Sequence, residues 1–188
     1  MSQTLIRNWW LLALCGIADA TISFIYLNDA SRSAAWLGIL ALAAGLLTIG
    51  AGVRSFNGKT WLLVLNGLAL SALGVIYYFL VRSPIPVRFR TIALLIILMA
   101  LSAGILAWAG ARGLRRQYHA ADQRLLRLAG VAWFAFALAF LALGFRWIRI
   151  EPGSNTDLLW LAAYFGFSAI SMLALALRLH RFRTLPTA

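Results

Sequence analysis

Six predominantly apolar runs of 19 to 22 residues constrain this chain more than any other feature: residues 9–27, 34–53, 60–81, 91–111, 125–145 and 158–177. At about 1.5 Å of rise per residue, a run of this length makes a helix roughly 30 Å long, which matches the apolar thickness of a bilayer. None of the runs alternates lipid-facing and lumen-facing residues as barrel strands do, and no connection is long enough to hold a folded extramembrane domain. With 63% hydrophobic and 12% charged residues in 188, and a mean hydropathy of +0.86, a soluble globular fold is excluded in favour of an all-α integral membrane protein. The expected architecture is one transmembrane bundle over residues 1–188, with six helices arranged as three parallel helical-hairpin repeats.

The formal charge of +12 is unequally shared. If the spans alternate in direction, one side receives Arg7, Arg54, Lys59, Arg112, Arg115, Arg116, Arg124, Arg127, Arg178, Arg181 and Arg183 against Asp122 alone. The other side receives Arg32, Arg82, Arg88, Arg90, Arg146 and Arg149 against Asp29, Glu151 and Asp157. The positive-inside rule then places both termini in the cytoplasm. The basic face suits the lipid bilayer's anionic headgroups, and a charge spread over span ends argues against nucleic acid as the partner. Trp9, Trp10, Trp36, Trp61, Trp108, Trp147 and Trp160 fall at or near run ends, where an amphipathic ring prefers the headgroup level. Trp133 alone falls in mid-run and is expected to pack in the bundle or face lipid.

Two processing signals are approximated in the first run. Arg7, a short apolar core and Ala18-Asp19-Ala20 resemble a signal peptide with its cleavage site, but apolar character continues through Leu27, so the run is expected to stay as a span. Leu12-Ala13-Leu14-Cys15 approaches a lipoprotein box, with Leu14 where a small residue is required. Cys15 is the single cysteine, which rules out a disulfide framework within the chain and leaves a small packing residue as the expectation.

The odd-numbered runs repeat one another. Trp10-Leu11-Leu12-Ala13-Leu14-Cys15-Gly16 matches Trp61-Leu62-Leu63-Val64-Leu65-Asn66-Gly67, Tyr26 matches Tyr77, and Leu126-Arg127-Leu128-Ala129-Gly130 gives a weaker third copy. Ala41 and Gly45 of the second run align with Ala100 and Gly104 of the fourth. A unit of two spans makes the repeats parallel. On Arg7-Asn8-Trp9-Trp10 through Gly16, on Trp61 to Gly67 with Gly74 beyond it, and on six short-looped spans, the chain resembles the HdeD-like acid-resistance membrane proteins. Pro84 fits the proline that family places after the first helix of a hairpin; Asn28-Asp29-Ala30 lacks it, and Ala43-Ala44-Gly45 lacks an acidic residue frequent in its second helix. The resemblance implies a bacterial inner-membrane protein with a stress or acid-resistance role, and supplies no catalytic residues.

Within the spans one carboxylate stands out. Asp19 lies about 15 Å along the first helix from Trp9, where an ionised side chain costs several kcal/mol unless paired, hydrated or protonated. It shares a stripe at three-and-four spacing with Leu12, Cys15, Gly16, Ser23 and Tyr26, the expected bundle-facing side. The corresponding stripe of the third run is Leu63, Asn66, Gly67, Leu70, Gly74 and Tyr77, so Asn66 lies one turn from the position matching Asp19. Asp19 and Asn66 are therefore the candidate binding residues, with Ser23, Ser71 or water as further partners. Two roles stay open for Asp19: a station on a proton- or cation-linked transport path, and a helix-to-helix hydrogen bond made by a carboxylic acid. Other polar groups in the runs are scattered, as Ser102, Ser168 and Ser171.

Small pairs four apart, such as Gly16 and Ala20, Ala41 and Gly45, Gly67 and Ser71, Ala100 and Gly104, Ala103 and Ala107, and Ala162 and Gly166, are expected at helix contacts and leave a homo-oligomer open. No HExxH, phosphate-binding glycine loop or Ser, His and acid set is present, so no enzymatic reaction or cofactor is expected. His119 and His180, in basic segments, are too few for a metal site.

Overall fold

The computed structural model describes residues 9–28, 34–54, 61–82, 89–113, 120–145 and 156–184, and among them the regular structure is entirely α-helical. The six helices are α1 (Trp9–Asn28), α2 (Ala34–Arg54), α3 (Trp61–Arg82), α4 (Phe89–Gly113), α5 (Ala120–Gly144) and α6 (Thr156–Thr184). Leu and Ala, strong helix formers, dominate all six, and no proline lies inside any of them. Each is long and apolar enough to cross a membrane. The helices follow the apolar runs closely, with two extensions: α5 begins five residues before its run, and α6 continues seven residues past its own through Arg178, His180, Arg181 and Arg183. The turns at residues 29–33, Asn57-Gly58, Pro84 and Pro86, the connection 114–119 with His119, Trp147 and Glu151 lie outside the described residues.

The close helix pairs are α2 with α3, α4 with α5, and α1 with α6. Contacts of α1 with α2 and of α3 with α4 are less extensive. Backbones of α5 and α6 stay apart, and the two helices meet through rings: Trp133 lies 5.4 Å from Tyr164 and 4.8 Å from Phe167 between centroids. Close and wide interfaces thus alternate in chain order, and the closest packing falls between the sequence-defined hairpins instead of within them.

Glycine sets the close approach of α2 and α3. Gly38, Gly45 and Gly52 recur every seven residues on α2 and meet an antiparallel row containing Gly67 and Gly74 on α3. A Cβ at Gly74 would stand 2.5 Å from the Leu42 nitrogen and 2.7 Å from the Gly38 carbonyl oxygen; one at Gly67 would stand 2.6 Å from the Gly45 carbonyl oxygen. These obstacles are backbone, so no rotamer change relieves them. The α4–α5 pair is looser. A Cβ at Gly104 would meet Trp133 Cβ and the Phe134 ring at 3.3 Å. On α1, a Cβ at Gly16 would meet Leu173 Cγ at 2.8 Å and the Ala169 carbonyl at 3.2 Å. Of the expected small pairs, Gly16 is buried but Ala20 is exposed, because α1 turns Ala20 away from its neighbours; Ala41, Gly45, Ala100 and Gly104 are all buried.

One apolar cluster draws on all six helices, with Ile22, Leu37, Leu73, Ile96, Phe140, Tyr164 and Phe165 among its most deeply buried members. Trp133, 4% exposed, belongs to it and packs against Tyr164, Phe167 and Phe136. Trp10, Trp36, Trp61 and Trp108, near helix ends, are exposed. A second, small cluster of Leu12 and Ala176 joins α1 to α6 beside Trp9, whose ring lies 4.5 Å from that of exposed His180.

The two kinds of glycine respond differently to a methyl group. Gly74→Ala is expected to lower stability by about 1–3 kcal/mol through overpacking against backbone. Gly50→Ala, where a Cβ meets nothing within 4 Å, is expected to be neutral or to stabilise by up to ~1 kcal/mol through helix propensity. Thermal unfolding of the purified protein in detergent checks both; equal melting temperatures for the two variants would contradict the backbone-contact account.

Candidate functional site

The stripe of α1 fixes where Asp19 points. Leu12, Cys15, Gly16, Asp19, Ser23 and Tyr26 are all buried, together with Leu11 and Ile22. The face opposite, with Leu14, Ile17 and Phe24, is exposed. Asp19 is 5% exposed and sits at the middle of the helix. It faces α6, which runs antiparallel to α1 and brings Ser168 to the same level. The Ser168 hydroxyl donates to Asp19 Oδ2 at 2.6 Å. One turn further along α1, the Ser23 hydroxyl donates to the Ala162 carbonyl oxygen of α6 at 2.8 Å. Gly16, one turn the other way, lets the backbones close.

The second carboxyl oxygen is different. Asp19 Oδ1 is buried and has no hydrogen-bond partner. Cys15 lies one turn before Asp19 on the buried face of α1, and Cys15 Sγ is 3.4 Å from the Thr48 hydroxyl of α2, which itself donates to the Ala44 carbonyl oxygen at 2.8 Å. Two separate polar contacts thus meet on α1: Ser168 of α6 with Asp19, and Cys15 with Thr48 of α2. Among the described residues the buried polar or charged side chains are Asp19, Ser23, Thr48, Asn66, Ser102 and Ser168, none of them a cation.

Of the side chains that the sequence left open as partners for Asp19, none of Asn66, Ser23 and Ser71 is the one it bonds; the donor is Ser168. Asn66 is buried on α3, but its amide donates to the Met99 carbonyl oxygen of α4 at 3.3 Å, an acceptor it shares with the Ser102 hydroxyl at 2.8 Å. The physical reason is adjacency: α3 packs on α4, whereas α1 packs on α6. Ser23 turns to a backbone carbonyl instead of to Asp19. The Ser71 hydroxyl is buried without a partner, directly over the Gly45 backbone. Asp19's partner Ser168 is 149 residues away in sequence; the signal for it was the small-residue face of Ala162, Gly166 and Ala169 on the last run, which marks a close helix contact without naming the partner. Asp19 and Leu70, its match in the stripe of the third run, are buried at 5% and 3% exposure, as is Trp133 at 4%, which takes the same place in the fifth run when Gly130 is aligned with Gly67 in sequence.

Chemically the site offers one carboxyl group hydrogen-bonded to one serine hydroxyl, with Cys15 and Ser23 one turn away on either side of Asp19 on the buried face of α1. Among the described residues no group of three His, Cys, Asp or Glu side chains could hold a metal ion. In comparisons with known protein families, characterised proteins and solved structures, the chain has no match.

Removing the donor leaves the carboxyl group with neither oxygen paired. Ser168→Ala is expected to cost about 1–3 kcal/mol, the penalty for an unsatisfied buried polar group. Asp19→Leu, which installs the residue found at the matching position 70, is expected to cost less than Ser168→Ala. Adding Ser168→Ala to Asp19→Leu is then expected to change little, so the two effects are strongly non-additive. Unfolding of all four proteins in mixed micelles gives the coupling; additive losses would mean that the 2.6 Å contact is energetically idle.

Proposed function

We propose that this chain is a multi-pass protein of the bacterial inner membrane, with both termini in the cytoplasm, that serves membrane stress or acid resistance without a catalysed reaction. The observation that carries the reading is the interior itself: one apolar cluster drawn from six span-length helices, with a single carboxyl group held at mid-helix by a hydroxyl donor and no buried cation among the described residues. Exposed faces rich in Leu, Ile, Val and Phe on every helix suit lipid. The likeness of the Trp10–Gly16 and Trp61–Gly67 segments to HdeD-like proteins adds the acid-stress role. The alternation of close and wide interfaces accords with three parallel hairpins, each resting its second helix on the first helix of the next, with α6 returning to α1. At the cytoplasmic ends, Arg54, Arg124 and Arg127 would meet anionic lipid headgroups.

The reading is tested in two steps. A fluorescent-protein fusion at the C-terminus should fluoresce and an alkaline phosphatase fusion there should be inactive; the reverse pattern would overturn the orientation. A strain deleted for the gene should lose viability in acid and regain it with the wild-type chain, and equal survival with and without the gene would overturn the stress role.

A second reading is favoured by one specific observation, the unpartnered Oδ1 of Asp19. A small proton- or cation-linked transporter or channel would use Asp19 as its ion-binding group, with Cys15 and Thr48 as neighbouring polar steps. Purified protein in proteoliposomes should then show proton flux that Asp19→Asn abolishes; flux indifferent to that substitution would remove Asp19 from any path.

A further inference from the structure

We infer that Asp19 is a proton-operated latch on the seam between the first and last helices: the neutral acid closes α1 on α6, and ionisation loosens it. The inference rests on the membrane-spanning reading above and adds to it how this site is regulated.

Three contacts define the seam. Ser168 donates to Asp19 Oδ2, Ser23 donates to the Ala162 carbonyl, and Gly16 seats against Leu173 and Ala169. All three lie within two turns of α1, so they form and break together. In the neutral form, Oδ2 accepts from Ser168 and the group carries no net charge into an apolar surround. Loss of the proton to water leaves a full negative charge with a single hydrogen bond. Among the described residues no buried cation is present to balance that charge. Ser168 from α6 meets it, Tyr164 is buried one turn from Ser168 along α6, Cys15 lies one turn away on α1, and α2 brings Thr48 to Cys15. Trp133 and Phe167 surround Tyr164 without a charge. The described cations of the neighbouring helices lie toward the helix ends: Arg54 is six residues beyond Thr48, about 9 Å along α2, and Arg178 and His180 lie ten or more residues along α6 from Ser168, about 15 Å or further.

An unbalanced charge in so apolar a site is costly enough to move the structure that confines it. Water is the available remedy, and it reaches Oδ1 by separating the two helices whose contact excludes it. The seam is also the one close interface without a short connection: six residues join α2 to α3 and six join α4 to α5, whereas α1 and α6 are joined only through the rest of the bundle. It can therefore part without straining a loop.

The test uses spin labels on Ile17→Cys and Ile170→Cys, two exposed positions at matching levels of α1 and α6, in a Cys15→Ala background in lipid nanodiscs. From about pH 5 to about pH 9, with ionisation favoured as pH rises, the inter-label distance distribution should gain a longer population. The same labels with Asp19→Asn or Asp19→Leu should give one narrow, pH-independent distribution. A pH-independent distribution with Asp19 present, or an unchanged pH response in Asp19→Asn, would overturn the latch. Incorporation into nanodiscs is read on the same sample: failure to incorporate would overturn the membrane-spanning reading, while incorporated protein with invariant distances would overturn the latch alone.

Discussion

A helix bundle surrounded by lipid cannot rely on the hydrophobic effect to bring its helices together, because a tail is as apolar a neighbour as another leucine. What remains is the dispersion gained by close backbone approach and the hydrogen bonds that apolar surroundings would otherwise leave unmade. The three close interfaces of this protein use those two resources in different proportions. Between α2 and α3 the approach is nearly pure backbone contact, with Gly45 and Gly67 each blocking the other's missing side chain. Between α4 and α5, Gly104 accepts the flank of Trp133 and Phe134. Between α1 and α6, Gly16 shares the work with two hydroxyl donors and a carboxyl group. Among the described residues, this third interface alone places a buried carboxyl group at its centre.

That placement follows from the order of the chain. Of the three close pairs, α2 with α3 and α4 with α5 are each joined by six residues, so little loop entropy opposes their contact. The first and last helices have more than a hundred residues between them. Closing so long a loop costs roughly 2–3 kcal/mol more than closing a six-residue one if the intervening chain is unstructured, since each doubling of length adds about 0.6 kcal/mol. Two interhelical hydrogen bonds, each worth about 1 kcal/mol, are of the size that offsets it. The polar contacts stand where the covalent chain gives least help.

The length and character of the helices were legible in the sequence because a bilayer-length apolar run has few other solutions, and the buried stripe of α1 was legible because three-and-four spacing puts Leu12, Cys15, Gly16, Asp19, Ser23 and Tyr26 on one face whatever that face meets. The identity of the neighbour was not. Asn66 was a reasonable partner for Asp19 from the repeat alone, yet register equivalence between two helices places them in similar surroundings without placing them side by side. Ser168 could be reached only by knowing that α6 returns to α1. The glycine row of α2 illustrates a different gap. A search for small residues four apart finds Ala41 with Gly45, but the contact row is Gly38, Gly45 and Gly52, spaced by seven, the period that keeps one stripe against a partner over several turns.

The repeat also bears on why Asp19 is informative. If the three odd-numbered helices hold equivalent positions, then Leu70 and Trp133 are two demonstrations that this position can be filled by an apolar side chain and remain buried. Leu70 and Trp133 bring no desolvation cost; Asp19 brings several kcal/mol of it when charged and recovers only part through Ser168. A residue more expensive than its apolar equivalents, at an interface that a glycine and a second hydroxyl already help to hold, is not explained by adhesion alone, since its bond to Ser168 uses only one of the two carboxyl oxygens. Its unpartnered oxygen is the part of the cost that packing does not recover, and it is also the part through which a change of protonation could act on the helices around it.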